Sequence, residues 1–168
     1  RMVDEGMTPE TVDRAAQEIF GKAGAILWYM AGSNNPDRNT SGLGIQLGAT
    51  SNLQRQLNND FYAPPDALTQ NVDKIKQREG LWEMDLLDES RIDRSRFEEV
   101  QRRIRGALYA MAGQSINEGI VLEEQPERVT DYGSAMIFKW PHGPFEMMNE
   151  QGLPAALDLV HGTHERYS

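Results

Sequence analysis

The chain has 168 residues, 39% of them hydrophobic, enough for one ordinary core that buries roughly 70% of the unfolded surface. Its formal net charge of −9 repels phosphate backbones and anionic headgroups, so nucleic acid and membrane surfaces are poor partners, and the absence of cysteine excludes disulfides, thiolate metal sites and cysteine nucleophiles. No window approaches the roughly 18 consecutive apolar residues of a membrane-spanning helix, the N-terminal residues of this sequence lack the basic start and apolar run of a secretory signal, and the absence of cysteine is compatible with a reducing interior, so a cytoplasmic setting is expected.

Thr8-Pro9-Glu10 is a helix start: the Thr hydroxyl caps free amides, Pro9 suits the first helical position and Glu10 complements the positive end of the helix dipole. Val12, Ala15, Ala16, Ile19 and Phe20 then recur at intervals of three and four, which predicts one apolar face up to Gly21. Ala23 to Ala31 is apolar on nearly every side and reads as a buried helix or strand, with its small residues favouring helix. Residues 32–52 are rich in Gly, Ser, Asn and Thr and are expected to form a flexible loop. Within it, Gly42-Leu43-Gly44-Ile45-Gln46-Leu47-Gly48 is spaced wrongly for a dinucleotide fingerprint and follows no strand.

A short helix is expected through Leu53, Leu57 and Phe61 before Pro64-Pro65, and Asp66 should cap another that reaches about Arg78 and stops at Gly80. Asp88 or Ser90 opens the strongest helical pattern, carrying Phe97, Val100, Ile104, Leu108, Met111, Ile116 and Ile120, with a break expected near Gly113. Arg94 and Glu98, four apart, are expected to pair on its solvated face. Gln125-Pro126-Glu127 starts a helix with Val129, Tyr132, Met136 and Ile137. Trp140-Pro141-His142-Gly143-Pro144 then forces a bend, and Pro144 begins a short helix whose Phe145 and Met148 dock while Glu146 points away. With little β signal anywhere, the expected fold class is all-α, a single helical domain over 1–168.

The two proline-led starts echo each other at a spacing of 117: Glu5-Gly6-Met7-Thr8-Pro9-Glu10-Thr11-Val12-Asp13 and Glu123-Glu124-Gln125-Pro126-Glu127-Arg128-Val129-Thr130-Asp131 share the order acid, turn, Pro-Glu, one residue, then Val. Repeat units over 1–31, degenerate, and 88–160 would explain the echo.

Asn117-Glu118-Gly119-Ile120-Val121-Leu122-Glu123-Glu124, then Pro126-Glu127 and Val129, then Gly143-Pro144-Phe145-Glu146 and Gly152-Leu153, resembles the C-terminal domain of 3-hydroxyacyl-CoA dehydrogenases, which is of the 6-phosphogluconate dehydrogenase C-terminal-like helical type. Residues 1–14 look like the first copy of that unit in members that carry two. The resemblance covers about 114–154 well and 1–15 less well, and it is absent over 22–90. It implies a fragment of a longer polypeptide: an all-α domain that follows an NAD-binding domain, completes an acyl-CoA pocket and builds a homodimer interface in an enzyme of fatty-acid oxidation. It also implies that the catalytic His and Glu lie in the nucleotide-binding domain, and that the active-site Asn belongs to an Asn-Arg pair, a dipeptide that does not occur here. No catalytic residue, cofactor-binding residue or metal ligand is therefore expected in this chain, and NAD belongs to the preceding domain. Asn117, Gly143, Pro144, Phe145 and Glu146 are the residues expected at the substrate pocket or its structural turn. Thr130 where the first copy has Asp13, His142 before Gly143, and Asn149 at a position often acidic in the family depart from the pattern and bear on substrate choice. A non-catalytic assembly module that lost the pocket is the alternative.

Other chemistry finds less support. His161 and His164 lie three apart, with Glu165 beside them, but lack a third nearby ligand and read as an exposed tail. Asp85, Asp88 and Glu89 read as caps rather than an acid pair. Ser33 and Ser115 sit in no nucleophile elbow, and Trp28, Trp82 and Trp140 read as core or interface anchors.

Overall fold

The structure is a computed structural model and describes residues 1–27, 41–76, 84–121 and 124–167. Its secondary structure is helical throughout, with no strand among the described residues. In chain order the α-helices are α1 (Pro9–Phe20), α2 (Ser41–Leu57), α3 (Asp66–Lys76), α4 (Phe97–Asn117), α5 (Pro126–Phe138), α6 (Pro144–Gln151) and α7 (Leu153–Tyr167), with short 3₁₀ turns between the elements that precede α4. Three of these begin at a proline, where the missing N–H is one of the helix's unpaired donors in any case.

The chain divides into two compact units, Arg1–Arg14 with Ala25–Phe97, and Ala15–Gly24 with Glu98–Ser168. In the first, carboxylates and hydroxyls organise the helix starts. Thr8 Oγ1 accepts the Thr11 amide at 3.2 Å and donates to the Arg91 carbonyl at 2.6 Å, so the cap of α1 also fastens a distant turn. Glu10 is fully buried; its Oε1 pairs with Arg91 Nε at 2.8 Å and accepts the Asp85 amide at 3.2 Å, which compensates much of the cost of burying a charge. Asp4 accepts the Asp66 and Ala67 amides at 3.1 and 2.7 Å, so the start of α3 is capped from 62 residues upstream.

Residues 41–52, expected in a loop, lie in α2, including Gly42 to Gly48. Leu47 packs against Leu68 and Val72 of α3, so packing outweighs the poor propensity of Gly, Ser and Thr. Residues 32–40 lie outside the described residues, as do Trp28, Ser33, Arg78, Gly80 and Trp82. Of Ala23–Ala31, the first two residues end a 3₁₀ turn (Gly21–Gly24), Ala25 is buried and Ile26 is exposed.

The long helix starts later than expected. Asp88 and Asp93 instead cap two successive 3₁₀ turns, accepting the Ser90 and Ser95 amides at 3.0 Å each, and the extended Ile92 between them prevents a continuous helix. Bonds from Ser90 hold the Asp88 carboxyl below its ordinary range, and Arg94 does the same for Glu89. Arg94, placed in the second turn, pairs with Glu89 at 2.9 Å. α4 then runs unbroken through Gly113 and ends at Asn117, leaving Met111 and Ile120 exposed instead of continuing the apolar face.

The second unit closes around Ala16, Ile19, Phe20, Tyr109, Met147, Ala156 and Leu159, with Ile104, Leu108, Trp140, Met148 and Val160 packed against them. Each large buried side chain in this set contributes about 1.5–3 kcal/mol of transfer free energy. Gly106 lets α4 approach α7 closely, since a Cβ there would overlap Thr163 Oγ1, itself bonded to the Leu159 carbonyl at 2.9 Å. Tyr109 is buried and donates to Gln151 Oε1 at 3.0 Å, which satisfies its hydroxyl; burial also pushes its pKa up. Residues 153–167, whose histidines were expected on a tail, form α7, with His161 and His164 exposed.

Candidate functional site

α5 begins at Pro126 with Glu127 in its first turn and carries Asp131 one turn further along. After Phe138 the chain turns through Lys139, which holds φ +58°, the left-handed value that ends a helix. Trp140 stacks on Phe138 and on Phe20, with centroids 5.0 and 4.5 Å away, and this anchors the far side of the turn. Pro141 and His142 then lead into Gly143 and Pro144, both buried, and into α6.

Asp131 fixes where this turn lies. Its Oδ1 accepts the Phe145 amide at 2.8 Å and its Oδ2 the Glu146 amide at 2.9 Å, so one carboxylate satisfies two of the unpaired donors at the start of α6. Gly143 lies directly against Asp131, where a Cβ would overlap the Asp131 backbone and side chain. Its φ of −82° is ordinary, so glycine is required here for space rather than conformation. Burial raises the Asp131 pKa, the two amide bonds lower it, and the nearby Glu146 and Glu127 carboxylates raise it; the net direction is upward.

The structure therefore brings Gly143, Pro144, Phe145 and Glu146 together around Asp131. Asn117 is the exposed last residue of α4. Phe145 is half-buried and Glu146 exposed; Met147 is the residue of α6 that fills the core, with Met148 packed against it. The arrangement fixes a backbone and presents Phe145 from it.

Asp131 is the site residue that sequence reasoning missed, and the signal lay in the echo. Asp13 Oδ1 accepts the Leu27 amide at 3.0 Å, 14 residues on, as Asp131 does with Phe145. Counted from these aspartates the echo runs at 118 rather than 117: Ile19-Phe20 then matches Ile137-Phe138, and Gly21, at φ +61°, matches left-handed Lys139. The extra residue is Thr130, which stands between Val129 and Asp131.

Just before the turn, His142 Nδ1 lies 3.2 Å from Glu146 Oε2 and 3.7 Å from Glu150 Oε1. Comparison with known proteins finds no matching family model, no matching curated protein and no matching solved structure.

Proposed function

We propose that the chain is the C-terminal substrate and dimerisation domain of an NAD-dependent 3-hydroxyacyl-CoA dehydrogenase, and that it shapes the acyl-CoA pocket without carrying the chemistry. In this reading hydride transfer takes place on NAD in a nucleotide-binding domain of the same polypeptide. The observation that carries the reading is the Asp131 clamp: the Gly143-Pro144-Phe145-Glu146 motif on which the resemblance rests is held by a carboxylate that accepts two of its amides. A turn fixed in this way presents Phe145 in one position, as a pocket wall requires. The matching Asp13 bond to Leu27 supports a first copy of the same unit. For the homodimer, support comes from α5, which buries no residue and exposes Tyr132, Met136 and Ile137 by 68, 53 and 71%.

That exposed apolar face also favours the second reading, a helical assembly module without a pocket. Acyl-CoA binding by the full-length polypeptide separates the two. Under the first reading Phe145→Ala weakens acyl-CoA binding about tenfold, equivalent to about 1.4 kcal/mol. An unchanged dissociation constant in a folded variant removes Phe145 from the pocket, and no acyl-CoA binding by the unsubstituted polypeptide leaves the assembly module.

A further inference from the structure

Glu146 and Glu150 lie four apart on one side of α6, and His142, two residues before the helix, reaches both. One ligand atom from each lies within 4.8 Å of the other two. The two separations from Nδ1, 3.2 and 3.7 Å, bracket the edge of a tetrahedron built on metal–ligand bonds of about 2.0–2.1 Å, which is about 3.3 Å. From these positions we propose that the three side chains form a surface site for a divalent cation of the zinc class, with His142 Nδ1 and one oxygen from each glutamate as ligands and water completing the shell.

Two features separate this cluster from an ordinary charged surface. His142 Nδ1 is closed off from solvent although its side chain is 44% exposed, and it makes no hydrogen bond. Both carboxylates are near it, at 3.2 and 3.7 Å, without hydrogen-bond geometry toward it. A cation at the centre would use the nitrogen lone pair and neutralise two exposed carboxylates that otherwise repel. Asp131, the nearby acid, is occupied by the Phe145 and Glu146 amides and is not a ligand. One imidazole with two carboxylates suits zinc, whereas magnesium and calcium prefer all-oxygen shells. The proposal does not rest on the acyl-CoA reading.

The test is calorimetric titration of the untagged full chain with Zn²⁺ near neutral pH, with Mg²⁺ and Ca²⁺ run as separate titrants. One saturable site in the micromolar range for zinc is expected, weakened at least tenfold by His142→Ala and by Glu150→Gln. The variant lacking both His161 and His164 should bind as the unsubstituted chain does, and far-UV circular dichroism should show all variants folded. Coupled ¹H–¹⁵N spectra should show the His142 Nδ1 resonance shifting on zinc addition. Absence of saturable uptake, uptake that His142→Ala leaves intact, or uptake lost with the His161 and His164 pair overturns the proposal.

Discussion

Replacing Asp131 by alanine tests the clamp at its source. The substitution removes both acceptors of the Phe145 and Glu146 amides at once. A hydrogen bond to a charged acceptor contributes about 1.5–3 kcal/mol, but the Glu146 amide is exposed enough to take water in its place, while the Phe145 amide is partly buried and is not so easily compensated. Burial of the carboxylate carries a cost, visible in its raised pKa, and alanine relieves it. The balance is a loss of about 2 kcal/mol, at the upper end of measured cap removals. For a chain of this length that is a fall in Tm of about 4–8 °C. Urea denaturation gives the stability change, and amide hydrogen exchange gives its location: protection should fall first at Phe145, Glu146 and the rest of the first turn of α6. A stability change below about 0.5 kcal/mol, the range of ordinary surface substitutions, or a protection loss that spares α6, would refute the reasoning.

Three further outcomes follow from the same unit. Gly143→Ala should cost about 1–3 kcal/mol by overpacking, and combining it with Asp131→Ala should not restore stability, because the new Cβ overlaps the Cα and Cβ of residue 131 as well as its carboxylate; a stable double variant in urea denaturation would contradict the steric account. Tyr109→Phe leaves Gln151 Oε1 without its donor and should cost about 1 kcal/mol in the same assay with an unchanged m-value, whereas a neutral or stabilised variant would show the bond to be idle. Asp131 should titrate above the ordinary aspartate value of 3.8 in carbon-detected NMR of the native chain. The native state then holds more protons than the unfolded state between 3.8 and the raised value, so this group's contribution to stability falls as pH rises through that window, and Asp131→Asn should remove the trend.

The helix starts were legible because their signals are local. Pro9, Pro126 and Pro144 each sit at the first position of a helix with an acid in its first turn. The apolar face of α1 was equally readable, since Val12, Ala15, Ala16, Ile19 and Phe20 are all buried. What failed was decided by distant partners or by competition between caps. Residues 41–52 are helical because Leu47 meets Leu68 and Val72, which composition does not reveal. Asp88 reads as the start of a long helix, yet Asp93 five residues on offers a second cap, and the chain makes two short turns before α4. At the candidate site the motif was visible as Gly143-Pro144-Phe145-Glu146, while the residue that holds it lies 12 positions before the first of these, on another helix. Only the aspartates of the echo pointed to it, and Thr130 had shifted their register by one.

The reading of the chain as a dehydrogenase's substrate domain is tested most directly by NADH formation. The full-length polypeptide, supplied with NAD and a 3-hydroxyacyl-CoA, should produce NADH and the 3-keto product, and residues 1–168 alone should produce none. Turnover by residues 1–168 alone would contradict the assignment of catalysis to another domain, and a full-length polypeptide that forms no NADH would contradict the assignment to this enzyme class.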